Sequence, residues 1–201
     1  MTNMTERKIE RICVFCGTNT GNREAYGQAA RQLGGVLADA QIELVYGGAS
    51  VGIMGELADA VQEHGGQVTG VIPQRLVEKE AAHTGIGNLI VVASMHQRKA
   101  QMSDLADGFI VLPGGIGTLE GFLEIVTWGQ LGIHSKPLGV LNVAGYFDSL
   151  IAWLDHGVQE GFVTEQHRSM ILVDDDAARL VSRMQAYRPP ESERLMERTN
   201  R

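Results

Sequence analysis

Cysteine is scarce in this chain: Cys13 and Cys16 are the two present among 201 residues. So few cannot build a disulfide framework, and although the pair reads C-x-x-C, no second ligand pair follows to complete a zinc site. In an extended run these two side chains point to opposite faces, which suits reduced, structural thiols in a cytoplasmic protein. Long apolar runs are lacking too. None approaches the ~20 residues that span a bilayer, and Met1 to Arg11 is polar, without the apolar core of a signal peptide. Positive charge is in deficit, with 17 Lys and Arg against 24 Asp and Glu and a net charge of −7. That balance argues against broad binding of nucleic acid or of an anionic membrane. A single bound phosphate needs only a local site and stays open. No G-x-G-x-x-G fingerprint follows the first apolar run and no P-loop lysine motif occurs, so ordinary NAD and ATP cradles lose their support.

Glycine, by contrast, is plentiful at 25 residues, and many close apolar runs. Ile12 to Phe15 reads as a short strand ending in Cys16-Gly17-Thr18-Asn19. A helix follows from about Arg23 to Ala40, with Ala29, Leu33, Val36 and Leu37 on one face. Ile42 to Tyr46 ends in Gly47-Gly48-Ala49, and a helix from Gly52 runs to about His64, where Gly65-Gly66 stops it. Val68 to Ile72 is a third strand, broken by Pro73, and Gln74 to Asn88 reads as an irregular loop over a site. Leu89 to Val92, Phe109 to Leu112 and Leu138 to Asn142 are further strands, with helices at Met95 to Leu105 and Leu119 to Leu131 between them. Phe147 to Gln159 is a helix, Val173 ends a last apolar run, and Asp174-Asp175-Asp176 opens a terminal helix to about Ala186. Such alternation predicts an α/β fold: a Rossmann-like, doubly wound parallel sheet with helices on both faces. One domain over 1–188 is expected, with 189–201 a charged, mobile tail.

In sheets of this kind ligands bind beyond the carboxyl ends of the strands. The turns at Gly17, at Gly47-Gly48 and at Gly114-Gly115 all follow strands, so they can converge on one edge. The stretch Pro113-Gly114-Gly115-Ile116-Gly117-Thr118-Leu119-Glu120 is the most informative of them. Its glycines let backbone N–H groups approach an anion, and the helix behind it adds partial positive charge. Thr118 can cap that helix or offer its hydroxyl to a phosphate oxygen. Glu120 is an anion beside an anion-binding turn; it is either a first-turn acid of the ordinary kind or a group that does chemistry. Glu124 lies four residues on, on the same helix face, and either shares acid–base work or supports Glu120.

A second cluster, Ser94-Met95-His96-Gln97-Arg98-Lys99, opens the preceding helix. Arg98 is suited to a bidentate grip on phosphate or carboxylate, and its sign makes Glu120 a natural partner. Lys99 points about 100° away and is either a second site cation or a solvated surface charge. His96 has no second ligand nearby and reads as a helix-start or core histidine. Trp128, Leu131 and Ile133 read as core or interface.

Taken together, these two motifs resemble the LOG (Lonely Guy) family of cytokinin riboside 5′-monophosphate phosphoribohydrolases, many of them once labelled lysine decarboxylases. The resemblance runs from about Ile12 to Tyr146 and includes Tyr46-Gly47-Gly48, Val51-Gly52-Ile53-Met54-Gly55 and Trp128-Gly129-Gln130-Leu131-Gly132-Ile133-His134. It departs at Cys16-Gly17-Thr18-Asn19, where the family commonly has Gly-Ser-Ser, and at Ala49, which replaces a frequent glycine. The resemblance implies hydrolysis of the N-glycosidic bond of an N6-modified adenosine 5′-monophosphate by a homodimer. The absence of metal-ligand spacing and of dinucleotide or pyridoxal motifs predicts that no metal or organic cofactor takes part. The resemblance assigns catalysis to Arg98 and Glu120. Substrate contacts go to Glu80, Lys99, Gly114, Gly115, Ile116, Gly117, Thr118, Leu119 and Thr127, with Gly17, Gly47, Gly48, Met95 and Glu124 as additional candidates. A general AMP nucleosidase and a non-catalytic purine-nucleotide carrier are the alternatives.

Overall fold

Side chains of the first strand, β1 (Arg11–Phe15), alternate between two cores. Ile12 and Val14 join one, Cys13 and Phe15 the other, as the period of two in a strand requires. Both faces are therefore apolar, the mark of a strand in the middle of a covered parallel sheet. The computed structural model describes residues 8–77 and 82–190. Within them β2 (Glu43–Tyr46), β3 (Val68–Pro73), β4 (Asn88–Val92), β5 (Gly108–Val111), β6 (Leu138–Leu141) and β7 (Ile171–Asp174) complete the sheet. The order is β4-β3-β2-β1-β5-β6-β7 and every pairing is parallel. Cys13 stands opposite Val45 on one side and Phe109 on the other.

Each parallel step needs a crossover, and α-helices supply all of them except β3 to β4, where the described residues hold only a 3₁₀ turn. Leu33 and Leu37 of α1 (Glu24–Asp39), Leu57 and Val61 of α2 (Gly52–Glu63), and the C-terminal α7 (Ala177–Gln185) with Leu180 and Met184 cover one face. Met102 of α3 (Met95–Leu105), Phe122 and Ile125 of α4 (Ile116–Gln130) and Leu154 of α5 (Asp148–Gln159) cover the other. A short α6 (Glu165–Ser169) leads into β7. Among the described residues no helix is long and apolar enough to cross a membrane.

The chain builds outward from β1 to β4, then returns to β5 on the other side of β1. Neighbouring strands β1 and β5 thus feed helices on opposite faces, and a crevice opens between their loops. Two expectations change here. The helix after β5 begins at Ile116, not Leu119, so Ile116, Gly117 and Thr118 form its first turn. The segment after Pro73 is not wholly irregular: Gln74–Leu76 is a 3₁₀ turn, Ala82 bridges Ala49, and Asn88 already belongs to β4. Glu80 lies outside the described residues.

Candidate active site

Turns following β1, β2 and β5 meet at the carboxyl edge of the sheet, around a cavity of about 460 Å³. Its base is a contact between two backbones, with the Gly17 N–H donating to Pro113 O at 3.1 Å. Gly114 has no room for a side chain, since a Cβ would fall 2.8 Å from the Gly17 nitrogen and collide with Thr118. From the other side, Tyr146 Oη donates to Gly114 O. So pinned, the turn runs into a helix of 15 residues, whose first N–H groups lack partners within the helix and carry its positive end. An anion fits there. Thr118 does not cap α4: Gly115 holds the cap position, and the Thr118 N–H donates to Gly115 O at 3.1 Å.

The second wall comes from α3. Ser94 Oγ accepts from the Gln97 N–H at 3.2 Å, and Gln97 Oε1 accepts from the Ala93 N–H at 2.9 Å. The pair resembles a capping box, with Gln97 reaching back to the residue before the cap, and it fixes where the helix starts, hence which way the next two residues face. Arg98 and Lys99 are only 8% and 9% exposed, and both line the cavity. Arg98 Nε donates to Val71 O at 2.9 Å and Nη2 to Gly47 O at 2.6 Å. Its guanidinium lies so close over Gly47 that a Cβ there would overlap it.

Lys99 points instead at α4. Its Nζ is 2.6 Å from Glu120 Oε1 and 3.0 Å from Glu124 Oε2, the second contact lying off the line of a hydrogen bond. Burial alone would lower the ammonium's pKa, but the hydrogen bond to Glu120 and the close carboxylates of Glu120 and Glu124 outweigh it and hold it above its ordinary value. Glu120 therefore pairs with Lys99 and not with Arg98, and Lys99 is no solvated surface charge. The 100° between the adjacent residues sends one to the ends of β2 and β3 and the other across to α4.

Of the residues singled out from sequence, Gly17, Gly47, Met95, Arg98, Lys99, Gly114, Gly115, Gly117, Thr118 and Glu120 all line this cavity. Glu124 sits one turn behind Glu120, outside the lining. Gly48, with φ +76°, turns the chain against Ile72 and Leu89 and packs there. Ile116 is 89% exposed on the helix's outer side, and Leu119 packs toward the second core. Thr127 is exposed and gives its hydroxyl back to Leu123 O at 2.8 Å. His96 is exposed at the start of α3.

Reading the sequence missed Asn19, Tyr26, Met54, Met102 and Tyr146, which also line the cavity. Tyr26 and Tyr146 meet edge to face at 5.5 Å. Tyr146 was findable, because it closes the turn after β6 and so had to reach the same sheet edge. The thiol of Cys16, in the cavity's floor, is pushed up by burial, which argues against a thiolate nucleophile.

A family model described as "Possible lysine decarboxylase" matches residues 54–184. Cytokinin riboside 5′-monophosphate phosphoribohydrolase LOG7 of Arabidopsis thaliana is 49% identical over 185 residues, 92% of this chain and 85% of the relative. LOG2 of the same plant is 48% identical over 92% of this chain and 87% of its own length. The probable phosphoribohydrolase LOGL9 of Oryza sativa subsp. japonica is 47% identical over 92% and 81%. This chain belongs to the LOG family. Membership agrees with the Pro113 to Glu120 and Met95 to Lys99 motifs, which in this LOG-family chain face each other across the cavity. Among solved structures, the molybdenum cofactor carrier protein of Chlamydomonas reinhardtii superposes with a TM-score of 0.67 at 20% identity, covering 90% of this chain and all of that one. The molybdenum cofactor binding protein of Rippkaea orientalis gives 0.67 at 18% identity, covering 90% and 98%. At such identities the likeness is one of fold alone.

Proposed function

We propose that this LOG-family chain hydrolyses the N-glycosidic bond of N6-modified adenosine 5′-monophosphates, and of AMP itself, releasing free base and ribose 5-phosphate. One observation carries the reading: the Glu120 carboxylate, held by buried Lys99, stands in the same cavity as the Gly114 to Thr118 turn at the positive end of α4. The turn takes the 5′-phosphate. Cleavage builds positive charge on the ribose, and Glu120 stabilises it and accepts a proton from the attacking water. Lys99, set between Glu120 and Glu124, orients the Glu120 carboxylate, while Arg98 supplies a fixed positive charge for the sugar phosphate. Phosphate binding energy fixes the sugar for attack, so nucleosides without a phosphate are poor substrates.

Decarboxylation of lysine is not the chemistry supported here. It normally uses a Schiff-base lysine with pyridoxal phosphate, and the cavity lysine is a charged, ion-paired ammonium held above its ordinary pKa. The reading extends to a cytoplasmic homodimer with no nucleic-acid or membrane partner. Its interface lies beside α4, where Leu131 and Ile133 are 55% and 65% exposed.

The test is incubation with AMP, isopentenyladenosine 5′-monophosphate and the matching nucleosides, without added metal, followed by chromatography. Free base and ribose 5-phosphate in equal amounts from the monophosphates alone are expected. Tight nucleotide binding with no base released would favour a carrier instead.

A further inference from the structure

Residues 46, 47 and 48 close β2, and the side chain of Arg98 meets the middle one. Tyr46 is also paired with Gly70 of β3, and one residue, His83, contacts both neighbours of Gly47. Its backbone N–H donates to Gly48 O at 2.9 Å, and its ring Nδ1 is 3.1 Å from the hydroxyl of Tyr46. On the far side of the ring, Nε2 lies 3.3 Å from Asp59 Oδ1 on α2. A neutral imidazole protonated at Nε2 satisfies both ring contacts at once: Tyr46 Oη donates to Nδ1, and Nε2–H faces the carboxylate. The side chain is only 13% exposed, and Tyr46 is fully buried, so neither hydroxyl nor ring has ready replacement by water.

Resting on the proposed reading of Arg98 as a site cation, we infer that His83 is a positioning residue for it. The route is short. His83 fixes Tyr46 and Gly48, which fixes the direction of the Gly47 carbonyl between them. That carbonyl accepts from Arg98 Nη2 at 2.6 Å, and Arg98 Nε is tied in turn to Val71 O at 2.9 Å. Among the described residues, the hydrogen bonds and ion pair of His83 go to Tyr46, Gly48, Asp59 and Ile86, none of which lines the cavity, so it acts through the turn. Within it, the contact that matters is the one to Tyr46, because it reaches the residue next to Gly47; the contact to Asp59 only steadies the ring.

Two near-isosteres separate these contacts. In His83→Asn the side-chain oxygen stands near the place of Nδ1 and can accept from Tyr46, but nothing reaches Asp59. In His83→Gln the amide reaches toward Asp59 and Tyr46 loses its partner. The experiment measures kcat and KM on AMP or isopentenyladenosine 5′-monophosphate, the melting temperature, and hydrogen exchange of the Arg98 Nε–H by ¹⁵N NMR. The expected result is that His83→Asn stays within about twofold of wild type. His83→Gln and Tyr46→Phe should each lose about tenfold in kcat/KM and show faster Arg98 Nε–H exchange, with melting temperatures close to that of His83→Asn. The double variant Tyr46→Phe/His83→Gln should lose no more than either single one, since both remove one contact. Equal kinetics and equal exchange in the Asn and Gln variants overturn the inference, as does a loss in His83→Asn alone. The NMR readout does not depend on turnover. An inactive wild type whose Arg98 signal still responds to His83→Gln would refute the proposed activity and uphold the positioning role.

Discussion

A glutamine in place of Glu120 keeps the size of the side chain and can still meet Lys99, but it removes the charge that, in the proposed reaction, faces a developing oxocarbenium ion. Glu120→Gln is therefore expected to lower turnover roughly 10²-fold or more, the scale of a general acid–base group, with little change in KM. Steady-state rates settle it, and a variant turning over at wild-type rate would return Glu120 to the status of a first-turn acid. Gly114→Ala tests the other half of the site. The added Cβ meets the Gly17 nitrogen and Thr118, so the turn must open where the phosphate is expected. KM for nucleoside monophosphates should rise at least tenfold, as read from saturation curves, while the fold survives by far-UV dichroism. At this scale the sequence announced the turn clearly, because glycines at a strand end leave little else to mean. It did not announce the pairing of charges. Arg98 and Glu120 looked complementary on sign alone, and only the helical phase set by the Ser94 and Gln97 cap shows that Lys99 is the partner.

Elements were legible wherever burial is two-sided or a helix stripe is strong, as in Ile12 to Phe15 or Leu33 and Leu37. Their ends were less so: α4 starts three residues early because Ile116, an apolar residue at 89% exposure, gives no sign that it is already helical. The junction of β7 and α7 shows what composition conceals. Asp174-Asp175-Asp176 reads as a helix-opening acid run, and Asp176 does cap α7. Asp174, however, is buried at 9% exposure, with Arg179 Nη2 2.6 Å and Arg183 Nη1 3.0 Å from its carboxylate. The hydrogen bond from Arg179 holds its pKa well below the usual carboxylate range, against the opposing effect of burial and with help from the Asp176 N–H and Arg183. A folded-state value below the unfolded one stabilises the fold at pH above the ordinary 3.8, and the gain is lost as pH falls through that value toward the lowered one. Asp174→Asn should thus cost about 2 kcal/mol at neutral pH, or roughly 4–8 °C in Tm for a chain of this size. Thermal melts of variant and wild type should converge as pH drops below 4; a pH-independent gap would mean that shape, not charge, locks α7 to the sheet.

For the molecule as a whole, the doubly wound plan was readable from alternation and the site's address from the rule that ligands sit beyond strand ends. What no pattern of periods reveals is which apolar side chains the sheet leaves uncovered. Trp128, Leu131 and Ile133 could have been core; in the fold Trp128 is half-buried, and Leu131 and Ile133 stand 55% and 65% exposed at the end of the helix that carries Glu120 and Glu124. Thr127 and Glu120 are also exposed on that helix. On the proposed reading of Glu120 as the catalytic carboxylate, apolar side chains left open so close to it make a second copy of the chain the expected cover, and burial of even two such side chains is worth a few kcal/mol, at roughly 1.5–3 kcal/mol each when complete. Because Leu131 is already half in solvent, Leu131→Glu should leave the monomer folded while placing a charge in the contact. Sedimentation at assay concentration should show wild type as a dimer and the variant shifted to monomer, with activity falling in parallel as the neighbouring subunit is withdrawn from the cavity's edge. A wild-type monomer with full activity would reject the dimeric unit. A dimeric Leu131→Glu with full activity would move the interface off the end of α4.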